Sequence, residues 1–384
     1  MPNLTSADLP NADLIGQAGS RELLETPILL LDLDVFERNL QKLADFAAGR
    51  SHALRPHTKT HKSVEIARRQ IAAGAVGVCC TTLGEAEVMV GAGIGNVLIT
   101  SPLVAPRKIQ RLLAINAQAD DLLVVADQPQ NVRDLAAAAQ SAGQVLKVLV
   151  AIDLGIHRMG VASPASAIEL ARLIRETDGV EYHGVHAYAG QLQHIIEYDE
   201  RRAAALATNA ELRVVCDALD AADLTPRIVT GSGTGTFEFD ASLDVFNELQ
   251  CGSYLFMDSD YNAVAASPEE RLQFETSLFV LATIVSANHP GLATVDAGYK
   301  CFFPRGPKPA IAAGAPLDTE YEFRGDEHGH LLYADAAYRA TVGDQVLCVT
   351  SHCDPTVNLF DHYHCVRGDT LVEIWPVDAR GRCV

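Results

Sequence analysis

Short apolar runs alternate with amphipathic stretches from residue 54 to residue 256. The runs Leu54–Lys59, Gly77–Thr82, Asn96–Thr100, Leu122–Asp127, Lys147–Asp153, Tyr182–Tyr188, Arg227–Gly231 and Leu249–Phe256 have the length and composition of buried parallel strands. Between them, stretches such as VEIARRQIAAG and AIELARLIRETDG space their apolar residues by three and four and close on glycine. That is the pattern of amphipathic helices. Eight such units over about 200 residues match an α/β fold of the (β/α)8 TIM-barrel type. The flanks read differently. Thr26-Pro27 leads into a strand, Ile28–Asp32, and a helix from Asp34 to about Ala48 with Phe36, Leu40, Leu43 and Phe46 or Ala47 inward. After residue 266 the chain is strands and turns: FVLATIVSA, LATVDAG, YEFRG, GHLLYAD, DQVLCVT, DHYHCVRG and TLVEIWPV. The expected organisation is an N-terminal segment (1–33) whose strand joins a β domain, a barrel (34–265), and a smaller, mostly-β domain (266–384). The boundary is expected in the polar stretch Ala265–Gln273.

The 384 residues suffice for one large domain and a smaller one, and 48% hydrophobic with 21% charged content is globular. A net charge of -19 excludes a nucleic-acid partner and an anionic membrane surface, both of which need a basic footprint. No apolar run reaches the ~18 residues that span a bilayer, and the first residues lack the basic and apolar regions of a signal peptide. Nine cysteines without CxxC spacing, only Cys79 and Cys80 adjacent, fit a reducing compartment. The cytosol is the expected location.

Barrel chemistry sits at the C-terminal ends of the strands. In Arg55-Pro56-His57-Thr58-Lys59-Thr60-His61-Lys62, strand parity puts Arg55, His57 and Lys59 on one face. Three such groups are costly to desolvate, so the segment is either a solvated edge or a place where something charged binds. Lys59 ends strand one, Arg158 follows strand five, Tyr188 ends strand six with His194 beyond it, and Gly231-Ser232-Gly233-Thr234-Gly235 ends strand seven. Gly252-Ser253-Tyr254 lies on strand eight, and all of these converge on one face. The glycine-rich loop suits phosphate, with backbone N–H groups and the hydroxyls of Ser232, Thr234 and Ser253 as donors; a tight turn would use the same glycines. Of seven lysines, Lys147 opens its strand, Lys42 and Lys108 fall in helices, and Lys62 reads as a surface charge at a helix start. Lys300 and Lys308 belong to the β domain, so Lys59 is the one placed for chemistry unless Lys300 reaches in. A lysine opposite a phosphate cradle suggests pyridoxal 5'-phosphate held as a Schiff base, with Arg158 on its phenolic oxygen and Tyr188 against its ring.

A second candidate is Ser351-His352-Cys353-Asp354-Pro355-Thr356. In extended backbone His352 and Asp354 share a face and Cys353 points away. Imidazole plus carboxylate, completed by water, suits Mn²⁺, Mg²⁺ or Co²⁺; a turn closed by an Asx hydrogen bond has the same pattern. His362 and His364 form another such pair and read as structural strand histidines, and Asp326-Glu327-His328 is a third polar cluster.

The segments RPHTKTHK, TGSGTGTFEFD, ELQCGSYLFMDSDY, DEHG and SHCDPTVNLFDHY with WPVDARG resemble the fold-type III pyridoxal-phosphate enzymes over about Thr26 to Arg380. Those enzymes pair an alanine-racemase-like barrel with a β domain. Within them the chain looks like the D-threonine aldolase and D-serine dehydratase group, and most like the branch with the D-threonine and 3-hydroxy-D-aspartate aldolases. The resemblance implies that Lys59, with His57 beside it, carries the cofactor, that Gln250 faces its pyridine nitrogen, and that His194 is catalytic near the substrate hydroxyl. It also implies that His352 and Asp354 bind the metal. The related dehydratases hold zinc with a His-x-Cys motif; Asp354 is a harder ligand and favours Mn, Mg or Co over Zn. The implied activity is retro-aldol cleavage of D-β-hydroxy-α-amino acids to glycine and an aldehyde. A metal-dependent D-serine or D-threo-3-hydroxyaspartate dehydratase is the alternative, and a non-enzymatic cofactor carrier is the other. Relatives of this fold are usually homodimers with sites at the subunit interface. Arg305 and Lys308 are candidate cations for a substrate's second carboxylate. Two departures, Thr81 where relatives often have glutamine and the segment Cys301–Pro309, leave the preferred side chain open.

Overall fold

The computed structural model describes residues 9–50, 52–264, 273–335 and 337–384. Strand β1 (Ile28–Asp32) runs into α1 (Leu33–Ala48), whose start is fixed by Asp32: its carboxylate accepts the N–H groups of Asp34 (3.0 Å) and Val35 (3.1 Å). The barrel follows. Its strands are β2 (Ala53–Leu54), β3 (Val78–Cys80), β4 (Val97–Ile99), β5 (Leu122–Ala126), β6 (Leu146–Ile152), β7 (Val180–Ala187), β8 (Ile228–Gly231) and β9 (Glu248–Leu249). The helices between them are α2 (Val64–Ala72), α3 (Leu83–Gly91), α4 (Pro106–Asn116), α5 (Pro129–Ser141), α6 (Pro164–Glu176), α7 (Tyr198–Ala221) and α8 (Phe237–Asp240). Proline opens α4, α5 and α6, where its missing N–H would have had no partner. All eight barrel strands pair in parallel, in the order β2-β9-β8-β7-β6-β5-β4-β3. An isolated parallel bridge between His57 and Cys79 joins the two ends of that order. Cys79, Leu98, Leu123, Val125, Leu149 and Ala151 form a buried cluster on alternate positions of the strands, while Cys80 and its like pack outward into the main core.

After α9 (Ser259–Asn262) the chain builds β10 (Leu278–His289), β11 (Leu292–Val295), β12 (Ala310–Ala313), β13 (Glu320–Phe323), β14 (Gly329–Leu332) and β15 (Gln345–Val349). A short helix, α10 (Cys353–Val357), and the hairpin β16 (His362–Arg367) with β17 (Thr370–Pro376) complete it. These strands make the second sheet, and β1 lies inside it, antiparallel to β10 and parallel to β16. Its strand β12, Ala310-Ile311-Ala312-Ala313, has no sequence signal beyond small apolar residues. Of the expected boundary, Ala265–Gln273, residues 265–272 lie outside the described residues. All nine cysteines are free, and among the described residues no helix is long and apolar enough to cross a membrane.

Two strands are cut to two residues each, the largest departures from their patterns. Strand one ends at Leu54 rather than Lys59. Pro56 has no N–H to give a ladder, and the next residues curl into a single 3₁₀ turn, Thr58–Thr60. His57 Nδ1 accepts the Lys59 N–H at 3.5 Å, and Thr58 Oγ1 donates to the Cys79 carbonyl at 2.9 Å. Strand eight ends at Leu249, and Gly252, Ser253 and Tyr254 lie beyond it, at another 3₁₀ turn over Ser253–Leu255.

Candidate active site

The ends of the barrel strands surround a cavity of about 300 Å³. His57, Lys59, Thr60, Thr81, Thr100 and Ser101 line one side. Arg158, Met159, His186 and Tyr188 line the next, and Ser232, Gly233, Thr234, Gln250, Gly252, Ser253 and Tyr261 complete the wall. Gly231 and Gly235 flank the glycine loop without reaching the cavity. Tyr254 turns into the core, where its hydroxyl accepts from Gln70 Nε2 at 3.2 Å. Two glycines are required by close packing. A Cβ on Gly233 would meet Gln193 Oε1 at 2.5 Å, and one on Gly252 would meet Thr60 Oγ1 at 2.6 Å.

The three ionisable groups of the first motif have separate partners, which the shared-face expectation did not foresee. Arg55 is buried and grips Glu248 with Nε at 2.8 Å and Nη2 at 3.0 Å. His57 faces Thr100 Oγ1 at 3.2 Å and Thr81 Oγ1 at 3.4 Å. Burial, with the Lys59 charge next, holds its pKa well below the ordinary histidine value. Lys59 Nζ meets Asp354 Oδ2 at 2.9 Å. The Asp354 charge holds the Lys59 ammonium above its ordinary range against burial. Burial pushes the Asp354 carboxyl up, but the Lys59 and His352 charges outweigh it and hold the group well below the carboxylate range. Lys62, expected as a surface charge, is buried and paired with Glu85. Its backbone has φ 51° and closes the turn through its N–H to the Thr58 carbonyl (2.7 Å). The side chain therefore points into the barrel wall.

The second motif is not extended as expected. His352 is the cap and Asp354 the first turn of α10, because Pro355 suits a helix start. Asp354 Oδ1 is buried without a hydrogen-bond partner. His352 Nδ1 lies 3.0 Å from Asp258 Oδ2. Burial disfavours the charged imidazole, yet the Asp258 hydrogen bond and the fields of Asp354 and Asp258 hold its pKa above the ordinary value. The rings of His194 and His352 stand edge to face at 6.3 Å, and His194 Nδ1 lies 3.1 Å from Asp260 Oδ2. Phe303 packs beside His352 and Tyr261 beside His194.

Lys59, His194, His352 and Asp354 thus gather at one rim, where barrel and β domain meet. Arg158 lies over the Tyr188 ring at 5.7 Å. Lys300 pairs with Glu327 on the surface, so neither it nor the 326–328 cluster lines the cavity. Lys308 lies exposed near Glu322 (4.0 Å), and Arg305 is also exposed. His362 and His364 share β16 beside a separate cavity of about 260 Å³. The sequence reading missed Thr60, Thr100, Ser101, Met159, His186 and Tyr261 as lining residues, and named Thr81 only as a departure from relatives. His186 had a signal, since it stands two residues before Tyr188 and shares its strand parity. Burial lowers its pKa to about 4.

The donor set fits pyridoxal phosphate. Ser232 Oγ is buried without a hydrogen-bond partner. Thr234 Oγ1 accepts the Tyr254 N–H at 3.1 Å and keeps its own proton to donate. Lys59 enters the same cavity. Among the described residues no three His, Cys, Asp or Glu side chains gather as a metal cluster. An imidazole oriented by a carboxylate, beside a buried carboxylate oxygen with no partner, nevertheless suits a hard divalent cation that finishes its shell with water.

The family model for the alanine racemase N-terminal domain matches residues 31–260, and that for a putative serine dehydratase domain matches residues 277–366. The chain is 38% identical over 368 residues to a 3-hydroxy-D-aspartate aldolase of Paracoccus denitrificans (strain Pd 1222), covering 94% of this chain and 93% of that protein. It is 40% identical over 368 residues to a D-threonine aldolase of Arthrobacter sp, covering 93% of each. The solved structure of a D-threonine aldolase from Filomicrobium marinum superposes with a TM-score of 0.91 at 41% identity, over 94% of this chain and 97% of that one.

Proposed function

We propose that this protein, which belongs to the alanine racemase N-terminal domain family and to its branch of D-threonine and 3-hydroxy-D-aspartate aldolases, cleaves D-β-hydroxy-α-amino acids by a retro-aldol reaction. D-Threonine would give glycine and acetaldehyde; 3-hydroxy-D-aspartate would give glycine and glyoxylate. The observation that carries this reading is the contact of Lys59 Nζ with Asp354 Oδ2 at 2.9 Å, which sets the β-domain motif against the lysine that enters the cavity.

Pyridoxal phosphate supplies an electron sink for the electrons left on Cα, and a divalent cation supplies a Lewis acid for the β-hydroxyl. Lys59 holds the cofactor through Nζ. Ser232, Thr234 and Ser253 hydroxyls with the backbone of Gly233 and Gly252 hold its phosphate. His57, Arg158, Tyr188 and Gln250 line the cavity in which its ring would sit. Gln250 is uncharged and donates to Thr230 Oγ1 at 2.8 Å. His352 and Asp354 hold the cation. His194, with Nδ1 against Asp260, presents its other nitrogen as the base that takes the hydroxyl proton. With His194 and His352 packed together and Asp354 against Lys59, a hydroxyl directed toward this cluster would meet the base, which is the proposed basis for D selectivity. A homodimer with sites near the interface is part of the same reading.

The test is a product assay with D- and L-threonine, phenylserine and 3-hydroxyaspartate, with and without a chelator. Glycine plus aldehyde from the D substrates, lost on chelation, is the expected result. Ammonia plus a keto acid would replace this reading with a dehydratase.

A further inference from the structure

The segment ELQCGSYLFMDSDY carries two aspartates that stand two residues apart. Asp260 meets His194 with both side chains partly open, 32% and 42% exposed. Asp258 is different. It is fully buried and all its contacts come from donors. Its Oδ1 accepts the Tyr261 N–H at 2.8 Å. Its Oδ2 accepts the Cys353 N–H at 2.9 Å and lies 3.0 Å from His352 Nδ1. The two chain segments are stitched around it. Ser259 N–H donates to the Thr350 carbonyl (2.9 Å), and Asp260 N–H to the Ser351 carbonyl (3.3 Å). Cys353 Sγ meets the Met257 carbonyl at 3.3 Å. The carboxylate therefore has no freedom to leave the ring.

A carboxylate only accepts, so the nitrogen facing it must carry the proton. A neutral imidazole with hydrogen on Nδ1 has its lone pair on Nε2. We propose that Asp258 is a positioning residue: it fixes His352 in the Nδ1–H tautomer and presents Nε2, beside Asp354, as the metal-binding nitrogen. The inference rests on the reading of His352 and Asp354 as metal ligands. A simple helix cap would affect folding alone, whereas this role also sets which nitrogen is bare.

The tautomer is read by long-range ¹H–¹⁵N spectra of metal-free protein labelled on histidine, taken at alkaline pH, with His352 assigned by its absence in His352→Gln. A protonated Nδ1 and bare Nε2 are expected. In Asp258→Asn the amide must turn a donor toward either the Cys353 and His352 donors or the Tyr261 N–H. The Mn²⁺ dissociation constant from calorimetry should rise roughly 10–100-fold, the usual effect of losing an outer partner. Asp258→Ser keeps a capping oxygen but no carboxylate at His352, and should show the same loss. A protonated Nε2 with bare Nδ1 in the parent protein, or unchanged Mn²⁺ affinity in both variants, would overturn the proposal. If the parent protein binds no Mn²⁺ with or without the cofactor, the metal reading fails; the spectrum then still decides whether Asp258 fixes the ring.

Discussion

Lys59 and Lys62 stand three residues apart in one motif, and each ends on a carboxylate. The Lys59 side chain is 39% exposed and its partner, Asp354, comes from the other domain. The Lys62 side chain is 10% exposed and its partner, Glu85, sits on the neighbouring barrel helix α3. Glu85 is itself tied down, accepting the Thr81 N–H at 2.8 Å and completing a capping box with Thr82. The first pair opens on a cavity and can be exchanged for a ligand. The second closes a turn and has nowhere to go. One ion pair leaves its charges available for chemistry; the other holds the loop that aims them.

The sharpest way to break this comparison is to remove each lysine in turn. Lys59→Ala should lower turnover by on the order of 10⁴-fold or more, the scale for losing a covalent catalytic group. Its urea midpoint should move less than that of Lys62→Met. Comparable residual turnover in the two variants would remove Lys59 from the chemistry. Lys62→Met leaves Glu85 as an uncompensated buried charge, so it should destabilise by about 3–5 kcal/mol. Adding Glu85→Gln should recover part of that loss, because the amide keeps an acceptor for the Thr81 N–H. A Lys62→Met protein as stable as its parent would return this lysine to the surface role that its sequence position suggests.

Why that surface role looked right is instructive. The barrel was legible because eight apolar runs recur with amphipathic helices between them, a pattern set by burial on both faces of a parallel sheet. The motif's local shape was not. Strand parity assumed extended backbone through Lys59, and Pro56 ends it early. Lys62 follows a turn and precedes a helix, which is where charges usually meet water; only the fold brings Glu85 across to it. The same holds for His352, read from an extended pair although it caps a helix with Pro355 in its first turn. Asp258 and Asp260 stood within a quoted motif, but nothing local connects them to histidines some 90 or 60 residues away. Periodicity reports burial; it does not report which buried charges meet.

The smallest expected effect tests what lies between the two lysines. His61 is fully buried, its Nδ1 accepts the Ser63 N–H at 3.1 Å, and its carbonyl accepts the Tyr363 hydroxyl at 2.6 Å. Burial lowers its pKa from 6.5 to about 3. The folded protein therefore keeps His61 neutral where the unfolded chain binds a proton. The unfolded state gains the extra proton only below its own pKa, so stability is unaffected above that value and falls as the pH drops toward the folded pKa. Between pH ~7 and ~5.5 this one group should remove about 1 kcal/mol of stability, a loss that His61→Gln should abolish. The measurement is the urea midpoint of both proteins at the two pH values. An equal acid loss in parent and variant would mean that His61 is not held neutral, and that the turn joining the two lysines is open to water.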